Sequence, residues 1–248
     1  MNQSLAIAAI QSVSIKGNIA ANAVRHAHLA SAAAQRGAKF VLFPELSLTG
    51  YELAIARDVA IRNDDPRLNE LRRLAKEANI TIVAGAPTIG ECGNLTIAAL
   101  AFGPDDQLSV YTKQHLHSGE AEIFIPGDGG KLLDVHGIKF ALAVCADISQ
   151  PCHPKRAAES CASVYAASVL VTDNGYETDT GLLRQYAESY AMPVVMANHG
   201  AMTGGWKSAG RSAIWDAAGK LIVAAPADGE CIVMAKRENG NWNSQVLS

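Results

Sequence analysis

The sequence lacks any apolar run approaching the roughly 20 residues that a helix needs to cross a bilayer. Its opening segment, Met1–Ile7, has neither the basic n-region nor the sustained apolar stretch of a secretory signal. These absences lead us to expect a soluble, cytoplasmic protein without a membrane partner. No stretch concentrates Lys and Arg, and the formal net charge is -3. Phosphate binding needs concentrated positive charge, so nucleic acid is disfavoured as a partner. Cysteine pairing is missing as well. The five cysteines, Cys92, Cys145, Cys152, Cys161 and Cys231, are an odd number without a C-x-x-C pair or a second cluster to complete a zinc site. Free thiols are the expectation. Repeats, low-complexity tracts and linkers are absent, which favours one domain over residues 1–248. Charged residues are sparse at 18% against 49% hydrophobic, which argues for a packed core rather than disorder.

What is present is an alternation of short apolar runs with amphipathic segments. Leu5–Ile10 predicts a first strand. Ile19, Ala23, Val24, Ala27 and Ala30 recur at helical spacing between Asn18 and Gln35, and Gly37 supplies a stop. Lys39–Phe43 predicts a strand closed by Pro44, Pro66–Asn79 a helix opening on proline, and Thr81–Ala84 the next strand. Leu95–Phe102, Leu108–Thr112 and Ile138–Val144 predict three more strands, read as an antiparallel portion, with a turn signal at Gly103-Pro104-Asp105-Asp106. Then come a helix near Lys155–Tyr165, a strand at Ser168–Thr172, a helix at Gly181–Ala191 and a strand at Val194–Ala197. Terminal strands are expected at Ser212–Trp215, Lys220–Ala224 and Cys231–Ala235. Such mixed α and β content implies layered sheets covered by helices.

Three segments place a reactive residue where a strand runs out, the position at which scaffolds commonly present functional groups. In Phe43-Pro44-Glu45-Leu46-Ser47-Leu48-Thr49-Gly50-Tyr51, burial of Glu45 would raise its pKa and make it a usable base; the other reading is a solvated loop carboxylate. In Tyr111-Thr112-Lys113-Gln114-His115-Leu116-His117-Ser118-Gly119-Glu120, Lys113 offers a positive charge to a developing oxyanion, or is simply a surface lysine. In Phe140–Asp147, an apolar strand delivers Cys145 with small neighbours, Ala143 and Ala146, that let a substrate approach. Alone, a cysteine there is the ordinary buried structural residue; beside a base or cation it is a nucleophile. The pairs His115/His117 and His26/His28 are poor metal sites. The second lies in a predicted helix, where residues two apart diverge by about 200°.

The order Glu, Lys, Glu, Cys resembles the nitrilase or carbon–nitrogen hydrolase superfamily. The resemblance rests on F-P-E-L-x-x-T-G-Y at Phe43–Tyr51, Y-x-K-x-H-L at Tyr111–Leu116, E-x-x-x-F-x-P-G at Glu120–Gly127 and V-C-x-D at Val144–Asp147. It extends to S-A-G-R-S-A-I-W-D at Ser208–Asp216 and so covers nearly the whole chain. It implies a four-layer α-β-β-α sandwich, assembled as a homodimer or larger homo-oligomer, and hydrolysis of a small amide by water with no cofactor and no metal. It further implies Glu45 as general base, Lys113 as oxyanion stabiliser, Cys145 as nucleophile and Glu120 as a second carboxylate positioning substrate. The backbone N–H of Ala146 joins the oxyanion site, and position alone suggests Asn174, Tyr176 and Glu177 as substrate contacts. The chain departs from the pattern after the nucleophile: Ala146 replaces a common aromatic, and Ile148-Ser149-Gln150-Pro151-Cys152 replaces a Phe-Pro-Glu run. N-carbamoyl or nitrile hydrolysis, a non-catalytic metabolite-binding relative, and a Cys/His enzyme using His115 or His153 are the alternatives.

Overall fold

Strand β1 (Leu5–Gln11) is buried at every position, as a strand covered on both faces must be. It pairs in parallel with β2 (Phe40–Leu42) and antiparallel with β12 (Cys231–Glu238). On the far side of β2 follow β3 (Thr81–Ile89), in parallel, and then the antiparallel strands β4 (Leu95–Phe102) and β5 (Leu108–Thr112). With β13 (Asn241–Leu247) beyond β12, the order of this seven-stranded sheet is β13-β12-β1-β2-β3-β4-β5. This computed structural model describes residues 4–90 and 92–248.

A six-stranded sheet runs β11-β10-β9-β8-β7-β6. Its strands are β6 (Leu133–Val135), β7 (Ile138–Val144), β8 (Val164–Ser168), β9 (Val194–Ala197), β10 (Ala213–Trp215) and β11 (Leu221–Ala224). The central three are parallel and the outer pairings antiparallel.

Period-two alternation builds the layers. Ile7, Leu42, Val83, Leu142, Val144 and Val195 share the apolar cluster between the sheets. Their neighbours Ile10, Val41 and Ile82 face outward onto α1 (Ile19–Gln35) and α2 (Asn69–Ala78). On the opposite side Ala143, Tyr165 and Met196 pack beneath α3 (Cys152–Glu159) and α4 (Tyr176–Tyr190). The result is an α-β-β-α sandwich. Among the described residues no helix is long and apolar enough to cross a membrane, and all five cysteines are free.

Local chemistry sets the helix ends. Asn18 caps α1 by accepting the Ala21 N–H at 3.1 Å. Asp65 caps a 3₁₀ turn, Pro66–Leu68, that leads into α2, and α2 stops where Asn79 turns left-handed at φ 53°.

Several expected elements are displaced. The helix expected near Lys155–Tyr165 starts at Cys152 and stops at Glu159, and Tyr165 lies in β8 rather than in a helix. The strand expected at Ser168–Thr172 is therefore the earlier run Val164–Ser168. Val164–Val171 is apolar apart from Ser168, and such a run carries no period to mark where a buried strand begins. Helix α4 starts a turn before Gly181, at Tyr176. The antiparallel reading holds for β4 and β5, but β7 belongs to the other sheet, where it pairs antiparallel with β6 and in parallel with β8. Two elements escaped prediction: β6, only three residues long, and β13, largely exposed.

Candidate active site

Strand β7 ends at Val144, and Cys145 opens a 3₁₀ turn, Cys145–Ser149, with φ at 43°. A non-glycine residue held in this left-handed region is strained and persists only when its surroundings enforce it. Asp147, fully buried, supplies much of that enforcement. Its Oδ2 accepts the Val144 N–H at 3.0 Å and the Tyr111 hydroxyl at 2.7 Å. Its Oδ1 accepts the N–H groups of His115 at 2.9 Å and Gln114 at 3.1 Å. One carboxylate thus ties the cysteine turn to the segment after β5 that carries Lys113.

Glu45 arrives from the other sheet. After β2 the chain turns at Pro44 and crosses β3 at Gly85, where a Cβ would run into the backbone of Leu46 and Pro44. The crossing is pinned by Leu48 N–H donating to the Gly85 carbonyl (2.9 Å) and Gly85 N–H to Ser47 Oγ (3.2 Å). A ring N–H of buried His199 donates from Nε2 to the Glu45 carbonyl at 2.7 Å. Lys113 then bridges the two glutamates: its Nζ lies 2.7 Å from Glu45 Oε1 and 2.7 Å from Glu120 Oε1, all three side chains excluded from solvent. Glu120 also accepts the Tyr51 hydroxyl at 2.6 Å and the His117 N–H at 2.7 Å. Glu45 Oε2 has no hydrogen-bond partner, which leaves it free to take a proton.

Burial pushes the Glu45 carboxyl above its ordinary value; Lys113 opposes the shift and Glu120 adds to it. Burial likewise pushes the Cys145 thiol well up, with Glu45 reinforcing and Lys113 opposing. For Lys113 burial disfavours the charge, but Glu45, Cys145 and Glu120 outweigh it and the net shift is upward. The lysine is therefore held as an ammonium, while the thiol, donating to the Leu170 carbonyl at 3.6 Å, rests protonated. A base must remove that proton before sulfur can attack.

Glu45, Tyr51, Cys145 and Ala146 line a cavity of about 230 Å³. Asn174, Tyr176 and Glu177 do not, which corrects the positional expectation for these three. Asn174 and Glu177 are exposed, and Tyr176 is buried with its hydroxyl donating to the Arg211 carbonyl at 2.9 Å. The reason is helical geometry: at 100° per residue, Gly175 and Asp179 stack on one face of the first turn of α4 while Tyr176 and Glu177 rotate away. Thr172 and Trp206 complete that wall.

The candidate histidines point elsewhere. His115 Nδ1 pairs with Asp147 at 3.0 Å, and both His153 nitrogens are taken by the hydroxyls of Tyr111 (2.7 Å) and Tyr165 (2.8 Å). Neither ring lines the cavity, although exposed His117 does. Sequence reasoning missed Asp179, Trp206 and the clamp role of Asp147. Asp147 stood inside a quoted motif, and the i, i+4 spacing of Gly175 and Asp179 was the available signal for the other wall.

Comparison with known proteins bears on the fold and the family. In sequence the chain is similar to a hydrolase of Mycobacterium tuberculosis, 35% identical over 129 residues, covering 49% of this chain and 46% of that one. It is also similar to an omega-amidase of Xenopus laevis, 30% identical over 137 residues, covering 51% and 50%. The chain thus spans about half the length of the curated relatives it matches. In fold it superposes on Nit3 of Saccharomyces cerevisiae, a nitrilase-superfamily member, with TM-score 0.87, 22% identity and coverage of 96% and 91%. An amidase of Nesterenkonia sp. AN1 gives TM-score 0.86, 23% identity and coverage of 95% and 91%. The family model for carbon-nitrogen hydrolases matches residues 6–244, and the chain belongs to that family.

Proposed function

We propose that residues 1–248 act as one hydrolase domain that cleaves the carbon–nitrogen bond of a small amide through a thioester on Cys145. The observation that carries this reading is the Lys113 ammonium, held 2.7 Å from both Glu45 and Glu120 just behind the cavity that Glu45 and Cys145 line. Glu45 takes the thiol proton and sulfur adds to the amide carbonyl carbon. The charge that develops on oxygen is met by Lys113 and the Ala146 N–H, which at the start of a 3₁₀ turn has no intrahelical acceptor. The C–N bond breaks as Glu45 returns the proton to nitrogen, releasing ammonia or an amine. Water, deprotonated by Glu45, then adds to the thioester; the acid leaves and Cys145 recovers its proton. Glu120, fixed by Tyr51 and His117, keeps Lys113 and the substrate in place. No step calls on a metal or organic cofactor.

N-carbamoyl compounds and nitriles present the same electrophilic carbon to the same groups and are second readings of one site. A Cys/His enzyme is disfavoured because the rings of His115 and His153 are committed to Asp147, Tyr111 and Tyr165. The proposed setting is the cytoplasm and the proposed assembly a homo-oligomer.

A mutant of the Nesterenkonia amidase takes the acetamide moiety of fluoroacetamide covalently at its active-site cysteine. The same reagent, followed by intact mass, is expected to label this chain once and Cys145→Ala not at all. Ammonia release from an amide, ureido-acid and nitrile panel orders the substrate classes. Silence on the whole panel, or full activity in Lys113→Ala, would overturn the mechanism.

A further inference from the structure

The cavity holds one charged group that the mechanism does not use. Asp179, on the first turn of α4, is half-buried and lines the cavity with Cys145 and Glu45. Among the described residues its carboxylate has no hydrogen-bond or ion-pair partner, and it does not cap its own helix. Burial raises its pKa, with His117 pulling the other way. Trp206, half exposed, lines the same cavity. No Arg or Lys is among the cavity-lining residues. Lys113, just behind the wall, is already shared by two carboxylates. The lysine therefore offers no free charge to balance Asp179.

We infer that Asp179 is a specificity-determining residue which binds a cationic group at the far end of the substrate, so that the preferred substrates are small amides bearing an amino group. The inference rests on the amide-hydrolase reading and adds the charge of the substrate to it. An ammonium would meet the unpartnered carboxylate and the Trp206 ring, a pairing of ion and π-face. A distal carboxylate would meet the like charge of Asp179, which disfavours it. The cavity of about 230 Å³ falls below the roughly 300–1,000 Å³ of drug-sized sites, which limits the spacer between the amide and the ammonium to a short chain.

The test is ammonia release from 4-aminobutanamide, pentanamide and succinamic acid by the full chain. The cationic amide should exceed the neutral one in kcat/KM by about 10- to 100-fold, as expected for a charged hydrogen bond, and the anionic one should be the poorest. Asp179→Asn should bring the cationic-to-neutral ratio close to one, and Asp179→Lys should turn the preference toward succinamic acid. A preference for the anionic amide, or a ratio that Asp179→Asn leaves in place, overturns the inference. A readout without turnover separates it from the hydrolase reading: butylammonium should slow alkylation of Cys145 by iodoacetamide, and butyrate should not. Loss of that protection in Asp179→Asn supports the charge assignment even if no amide is hydrolysed. Equal protection by both ions, or none by butylammonium, overturns it.

Discussion

Glu45 is the residue whose environment is most specific to chemistry. It has one oxygen on Lys113, the other unpartnered, and a pKa raised by burial, which are the properties the proposed base needs. Replacement by Gln keeps the shape and the contact to Lys113 but removes proton transfer. The expected loss in kcat is about 10²–10⁴-fold, with little change in the thermal midpoint. The base acts only when deprotonated, and its pKa is shifted upward. The acid limb of kcat/KM is therefore expected above the ordinary glutamate value of 4.5. A limb at or below 4.5 would exclude Glu45 as the base. Lys113 has a structural share as well. Removing the charge between two buried carboxylates should cost about 3–5 kcal/mol, so Lys113→Met is expected to lower the urea midpoint as well as abolish turnover.

At the scale of elements, the crossing of the Glu45 loop over β3 has one steric requirement. Gly85→Ala puts a methyl group against the Leu46 and Pro44 backbone, which are held by the sheet and cannot yield as a flexible side chain would. The substitution should displace Glu45 and cut activity at least tenfold while the chain still folds, as circular dichroism and ammonia release would show together. The packing of α1 on β2 carries a second signature. His26 stacks on Phe43 with ring centroids 3.9 Å apart, and neither ring nitrogen has a partner. Burial pushes its imidazole down to about 3 from 6.5. Between those values the unfolded chain binds a proton that the native one refuses. Stability is therefore full above about pH 6.5 and falls as pH drops toward 3. Buried His199, pushed down to about 4, acts in the same direction. His26→Phe should flatten, without abolishing, the decline in urea midpoint between pH 7 and pH 4.5.

For the whole molecule, the pairing of β1 with β12 joins residues more than 200 positions apart in sequence. Gln11 extends the joint: its side chain donates to the carbonyls of Pro226 and Gly229 and accepts the Ser212 N–H. Deleting residues 231–248 would strip β12 and β13 from the sheet, expose the buried face of Ile7, Ala9 and their neighbours, and leave β1 as an open edge. Such a truncation should lose the cooperative thermal transition of the full chain. A transition that persisted would show that the first eleven strands and their helices hold together alone.

The motifs around Glu45, Lys113, Glu120 and Cys145 were legible in sequence because each keeps its neighbours adjacent along the chain: a strand, a proline or glycine, and the reactive group. Period-two and 3.6-residue patterns likewise located most elements, because burial on one face leaves its mark locally. The boundary between α3 and β8 was not legible, since the largely apolar run Val164–Val171 has no period to mark it. Nor was the cavity wall. Whether Tyr176 or Asp179 faces the cavity depends on where α4 begins and how it rotates against the sheet. The partnership of Asp147 with Tyr111 and of Glu45 with Lys113 depends on strands from different parts of the chain meeting in space. Residue types and their order were sufficient to indicate the family and the candidate site, whereas the electrostatics and shape of that site follow from tertiary burial, which no local pattern records.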